Sequence, residues 1–313
     1  MDDYLIGVLS NIGVISFLAL SAYLLLLTGE ISFGQQAFFA IGGYAAGIAT
    51  ALWGWPLTAA LVWGAATGGA AAVLVGVPTL RLHGLYFAIA TLAFAEMVRL
   101  LFELFHYQIS IDGEWVGPDG SDGFRNIRYI FENDVGSVQF LALIYSLLAA
   151  AVAGFMLLER SRLGVTFRMI GEDAVLAEMH GVAVARHKVL AAGLAGAIAG
   201  IGGGLYAHLT TYIEPRIFDV MLGVHSLAYG LIGGLGTAFG PLLGVLIDIG
   251  VLESIRMFAG FRMIIFGGLV AVLLIFRPRG LLDETVVHRI GGVWFRVRSW
   301  ILRSASRPAG GGR

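Results

Sequence analysis

The 313-residue chain has no cysteine. That excludes disulfides, thiolate metal sites and cysteine nucleophiles, and leaves its redox compartment open. It is also short of charge. Asp, Glu, Lys and Arg make up 13% of the residues, against roughly 25% in soluble domains, and the shortfall places the chain in a bilayer. The net charge of −1 lacks the basic excess that a nucleic-acid partner needs, so none is expected. There is a single lysine, Lys188, and no G-x-x-x-x-G-K-[ST] loop, so the chain does not cradle ATP through a P-loop of its own. H-E-x-x-H and G-x-S-x-G are missing too. His83, His106, His180, His187, His208, His225 and His288 are scattered, so neither a catalytic residue nor a metal ligand set is expected. The first residues, Met1-Asp2-Asp3, lack the basic start of a cleavable signal, and the apolar run behind them reads as a membrane helix.

What the chain has is hydrophobicity: 58% apolar residues and a mean hydropathy of +0.84. A spanning helix needs about 20 apolar residues. Candidate spans lie at 5–27, 34–53, 57–77, 84–105, 138–158, 187–207, 222–236, 239–256 and 261–276, with cuts at Gly236-Thr237-Ala238 and at Met257 to Gly260. The expected fold is an all-α polytopic bundle of about nine transmembrane helices, eight to ten in all, some of them broken. Residues 1–282 form the transmembrane domain and 283–313 a cytoplasmic tail. That tail mixes Trp294, Trp300 and Phe295 with arginines, as an interfacial helix does.

Arginine and lysine orient the bundle. Of the 20 such residues, five lie in 159–188 and eight in 277–313, while 106–137 carries six acids against Arg125 and Arg128. The segment 106–137 is therefore expected outside, with 159–188 and the C-terminus inside and the N-terminus outside. The outer loop repeats Asp-Gly turns and reads as a solvated connector or a docking surface for an extracytoplasmic partner. Its Asp119-Gly120-Ser121-Asp122-Gly123 lacks the full calcium-loop ligand set, so no metal is assigned to it.

The polar stretch Ser161 to Lys188 interrupts an otherwise lipid-soluble chain. Glu172 and Asp173 are expected to start a short helix there, where acids favour the positive end. Ala174, Ala177 and Gly181 would present a small-residue stripe to a groove, with Gly181 ending the helix left-handed.

Ionisable residues within the spans are few. Glu96, Arg99 and Glu103 share one helix face, Asp248 lies deep, and Glu253 and Arg256 sit nearer an end. A charge at such depth costs at least about 2.5–3.5 kcal/mol, so it must pair, face inward or line water. Two readings stand for Glu96 and Asp248: a polar translocation path, or structural roles, with Arg99 pairing Glu96 or Glu103 and Asp248 capping a broken helix. Glycines recur at four-residue spacing. Gly196, Gly200 and Gly204 lie on one face, and Gly230 and Gly234, then Gly236, Gly240 and Gly244, continue the pattern, as close helix packing requires. Gly233 to Gly240-Pro241 also permits a helix break.

Four stretches carry a resemblance. They are T-G-E-I-S-F-G-Q-Q-A-F-F-A-I-G-G-Y (Thr28 to Tyr44), L-R-L-H-G-L-Y-F-A-I-A-T-L-A-F-A-E (Leu80 to Glu96), the polar stretch Ser161 to Lys188, and G-L-I-G-G-L-G-T-A-F-G-P-L-L-G (Gly230 to Gly244) with F-R-P-R-G-L (Phe276 to Leu281). In this order the chain resembles the permease subunits of ABC importers for branched-chain amino acids and related solutes, of the LivH/LivM type and closer to LivM. The resemblance implies a non-enzymatic subunit in a bacterial inner membrane. Its partners would be a second permease, two ATP-binding subunits that hold the ATP and magnesium, and a periplasmic solute-binding protein. It implies a coupling helix at Glu172, Asp173, Ala177, Glu178 and Gly181, with Ala174 departing from a commonly acidic position. Ser32, Gln35 and Thr91, in the first two stretches, are candidate path residues beside Glu96 and Asp248. The alternative function is an ion-coupled secondary transporter or channel using Glu96 and Asp248. The solute itself is not specified by these residues.

Overall fold

The computed structural model describes residues 3–79, 81–82, 84–111, 113–253, 262–277 and 280–282. The Arg256 partner expected for Glu253, the cut at Met257 to Gly260 and the tail 283–313 lie outside the described residues, as does the Glu253 side chain.

Within the described residues, each expected span is helical. The long helices are α1 (Asp3–Leu27), α2 (Gln35–Ala51), α3 (Leu57–Thr79) and α4 (Leu85–Leu104). After the short α5 (Tyr129–Glu132) come α6 (Ser137–Arg160), α7 (Arg162–Glu172), α8 (Ala174–Met179) and α9 (Val184–Thr210). The chain then forms α10 (Val220–Gly233), α11 (Phe239–Val245) and α12 (Arg262–Phe276). Five helices, α1, α3, α4, α6 and α9, are long and apolar enough to cross a membrane, and α10 to α12 are shorter apolar segments. The chain is an all-α polytopic membrane protein.

Helix α1 is buried on every face from Ile12 to Thr28, as expected of a helix that is apolar all round. Its polar groups are satisfied: Ser16 Oγ donates to the Ile12 carbonyl at 2.6 Å and Ser21 Oγ to the Ala195 carbonyl at 2.8 Å. Helix α9 is the hub, with α1, α2 and α3 packed along it. The glycine spacing explains how closely they approach. A Cβ at Gly200 would overlap the Gly64 carbonyl of α3, one at Gly196 would meet Gly68 and Ala72, and one at Gly204 would lie 2.8 Å from Leu61. Gly42 of α2 abuts Gly200 from the other side. Glycine here supplies close approach rather than flexibility.

One expectation needs correction. The outer loop is more than a connector. It contains a three-stranded antiparallel sheet, β1 (Ile109–Ile111), β2 (Glu114–Pro118) and β3 (Phe124–Arg125), bridged from Phe124 to Ile213 beyond α9. Phe124 is fully buried against Gly47, so the sheet is pinned onto α2. Asp248 lies in a π-helical stretch, Leu246–Glu253, that follows α11 directly.

The break between α10 and α11 does fall at the glycines. Gly234 has φ +95° and a Cβ at Gly240 would overlap the Gly234 carbonyl. The segment after α12 folds back onto this break. Leu281 and Leu282 donate their N–H groups to the Ile232 and Gly233 carbonyls at 3.0 and 2.8 Å, and Gly236 donates to the Leu282 carbonyl at 3.1 Å.

Candidate functional site

Ser161 ends α6 and caps α7, accepting from the Gly164 N–H at 3.3 Å. Asp173 is extended (φ −154°, ψ 100°) and its Oδ1 accepts from the Leu176 N–H at 2.9 Å. The polar stretch is therefore two helices joined at Asp173. Glu172 is the last residue of α7, not the first of the short helix as expected, because an N-cap residue must leave helical geometry. Helix α8 ends as anticipated. Gly181 has φ +83°, its N–H donates to the Glu178 carbonyl at 2.9 Å, and Val182 donates to the Ala177 carbonyl at 3.1 Å, the paired bonds of a Schellman end.

Of the expected small-residue stripe, Ala174 is half-buried, Gly181 is exposed and Ala177 does not face outward. Ala177 is fully buried, clustered with Ile170 and Val184, and fixes α8 to α7 and α9. The outward face is apolar and larger: Val175, Leu176 and Met179 are 64%, 50% and 80% exposed. Glu172, Asp173, Glu178 and Gly181 are exposed around it. A six-residue helix offering three bulky apolar side chains to solvent has the anatomy of a docking knob, an apolar centre with a polar rim.

This knob is tied to the bundle at three points. Gly171 of α7 packs against the Leu27 carbonyl and Gly29 at the end of α1. Arg168 Nη2 donates to the Gly236 carbonyl at 3.0 Å, in the break between α10 and α11, and lies 3.9 Å from Glu159. Glu159 in turn accepts from the Tyr23 hydroxyl of α1 at 2.6 Å. Finally, Lys188 at the start of α9 forms an ion pair with Glu30, both buried.

Sequence reasoning missed these anchors. One signal was present: Lys188 is the only lysine in the chain, and Glu30 is the only acid between Asp3 and Glu96.

The residues expected along a path are divided among several places. Arg99 Nε donates to both Glu96 oxygens at 3.0 Å and its Nη1 pairs with Glu103, so both acids share one arginine. This triad is not sealed inside the chain: Glu96, Glu103 and Arg99 are 40%, 27% and 19% exposed on α4. Ser32, Gln35 and Thr91 are buried around the linker between α1 and α2. Ser32 Oγ accepts from the Gly34 N–H and Thr91 Oγ1 from the Phe33 N–H, each at 3.1 Å, while the Gln35 side-chain amide lies 2.5 Å from Ser21 Oγ. Asp248 is fully buried and accepts from the Tyr229 hydroxyl at 2.8 Å.

Comparison with known proteins now adds to this geometry. A family model described as "Branched-chain amino acid transport system / permease component" matches residues 4–277. The high-affinity branched-chain amino acid transport system permease protein LivM of Escherichia coli is 29% identical over 83% of this chain, as is LivM of Salmonella typhimurium. The match spans 65% of the length of each LivM chain. The L-arabinose ABC transporter permease protein AraH of Azospirillum brasilense is 27% identical over 86% of this chain and 78% of its own length. No solved structure matches.

Proposed function

The chain belongs to the family of branched-chain amino acid transport system permease components, and on that footing we propose that it is the membrane-spanning half of an ATP-driven importer for branched-chain amino acids or related small solutes. ATP hydrolysis would belong to two separate subunits, delivery to a periplasmic solute-binding protein, and the second half of the path to another permease. The membrane would be the bacterial inner membrane, with α7, α8 and the C-terminus inside.

The single observation that carries the reading is α8 together with its anchors. Its exposed Val175, Leu176 and Met179 offer a knob to a soluble partner, and Glu172, Asp173, Glu178 and Gly181 surround or end it. Behind the knob, Gly171 touches α1 and Arg168 holds the Gly236 carbonyl, so a displacement of α7 and α8 reaches the glycine break directly. Two-state motion needs such physical continuity between the driven surface and the element that moves.

The α4 triad supports a partner permease. Charges exposed on α4 toward the bilayer centre, where Glu96 is expected, would each cost about 2.5–3.5 kcal/mol. They are tolerable where a second permease or a watered path covers α4, which keeps Glu96 a path residue beside Ser32, Gln35, Thr91 and Asp248. AraH is named for a sugar and LivM for branched-chain amino acids, and this spread supports assigning solute choice largely to the binding protein. The deciding experiment is the ATPase rate of the purified complex with its cognate binding protein across candidate solutes. Uptake that proceeds without ATP and follows a proton or sodium gradient would replace this reading with the ion-coupled one.

A further inference from the structure

Helix α2 connects two distant parts of the chain. In the linker before it, Gly29 rests against Gly171 of α7. Near its other end Gly47 is covered by Phe124 of β3, and Thr50 Oγ1 lies 2.9 Å from His208 Nε2 of α9. A displacement of α7 therefore reaches the outer sheet through one helix.

The same helix is irregular in its hydrogen bonding. Among the described residues, every buried side-chain nitrogen or oxygen without a hydrogen-bond partner belongs to α2: both ends of the Gln36 amide, the Gln35 nitrogen and the Tyr44 hydroxyl. Gln36 and Tyr44 are 1% and 2% exposed, so bulk water does not serve them. Buried polar groups in native proteins are nearly always paired, because an unpaired one loses its hydration uncompensated. Neither polar group is needed for shape. Tyr44 stacks on Phe102 with ring centroids 4.0 Å apart, and Phe218 and Phe124 stand at 6.2 and 6.4 Å, so a phenylalanine would fill the same space. The Gln36 amide is pressed against α10, where a Cβ at Gly223 would overlap its oxygen and nitrogen, and a methionine has the same length. Unpaired groups gathered on one connecting helix are accounted for if that helix has another position in which they are bonded.

We propose that α2 has a second seating, reached when α7 and α8 are displaced, in which Gln36 and Tyr44 gain the hydrogen-bond partners they lack here. Gly29 receives the push from Gly171, and the outer sheet follows Gly47 through Phe124. The movement is a small slide of packed helices. The unpaired groups raise the free energy of the present seating, so a smaller push suffices to leave it. The proposal rests on the importer reading and names the element that carries the displacement across the chain.

Gln36→Met and Tyr44→Phe remove the unpaired groups at nearly constant volume. Each is read by the melting temperature of the assembled complex in two states: without nucleotide, and held by magnesium ATP and vanadate with solute-free binding protein. In the nucleotide-free state the melting temperature should stay level or rise, since only an unpaired group is deleted. In the held state it should fall by about 2 °C or more, since a bonded group is deleted. A residue with a packing role alone moves both states alike. Should one variant fail to assemble, the other decides. A lowered nucleotide-free melting temperature would show the groups already bonded in this seating and overturn the proposal, as would equal shifts in the two states. A loss that appears in the held state only after L-leucine is added would assign the groups to the solute and overturn it too. ATP-driven uptake by the unsubstituted complex separates the two levels. Uptake with equal shifts removes the second seating and keeps the importer, whereas no ATP-driven uptake of any solute removes the importer and the proposal with it.

Discussion

Lys188 pairs with Glu30 across 158 residues of sequence, and both side chains are buried. The pair joins the start of α9 to the linker that follows α1. Breaking a buried pair by removing one partner leaves an uncompensated charge, at a cost of about 3–5 kcal/mol. Lys188→Met or Glu30→Gln alone should therefore lower the thermal stability of the detergent-solubilised complex sharply. The double variant should recover much of the loss, because replacing both members of a buried pair is often near neutral. Losses that simply add would show that the two do not depend on each other.

Gly200 is enclosed by Gly64 and Gly42. Gly200→Ala should cost about 1–3 kcal/mol by overpacking, and Gly200→Leu should abolish assembly, read as loss of the complex peak in size-exclusion chromatography. A well-assembled Gly200→Leu complex with altered solute preference would contradict a packing role.

The anchors and the surfaces differ in how much the sequence disclosed. Long apolar runs such as 5–27 and 187–207 located α1 and α9 because a bilayer demands about 20 apolar residues. Gly233 to Gly240 disclosed the break because no other feature interrupts that run. The sheet Ile109–Arg125 was illegible, since strands of two to five residues carry almost no periodicity. Ala177 was misread for a related reason: a helix of six residues makes under two turns, too few to reveal which face is buried. The Arg168 to Gly236 bond was invisible because it joins a side chain to a backbone carbonyl 68 residues away, and a carbonyl leaves no mark in a sequence.

Arg168 holds the glycine break through that carbonyl, at 3.0 Å. Arg168→Gln shortens the reach and removes the charge. Assembly should survive, while solute uptake per ATP hydrolysed should fall by about fivefold or more, the loss of one charge-assisted hydrogen bond in the linkage. Unchanged uptake per ATP in Arg168→Gln would take Arg168 out of the linkage.

Gly181 closes α8 at φ +83°. A β-branched residue there carries strain of about 1–3 kcal/mol, so Gly181→Val should loosen α8 and increase proteolysis between Asp173 and Val184, whereas Gly181→Asn, which tolerates this conformation, should retain more of the wild-type pattern. Equal proteolysis of Val and Asn variants would argue against a conformational requirement.

The central claim is that α8 receives work from a separate ATPase. The most direct measurement is the ratio of solute uptake to ATP hydrolysis in proteoliposomes holding the assembled complex with Met179→Asp, which places a charge on the outermost apolar residue of α8, 80% exposed. The expected result is a ratio lowered by about tenfold or more with the complex intact, as for loss of a buried apolar anchor at an interface. An unchanged ratio, or uptake that continues without ATP, would contradict the account.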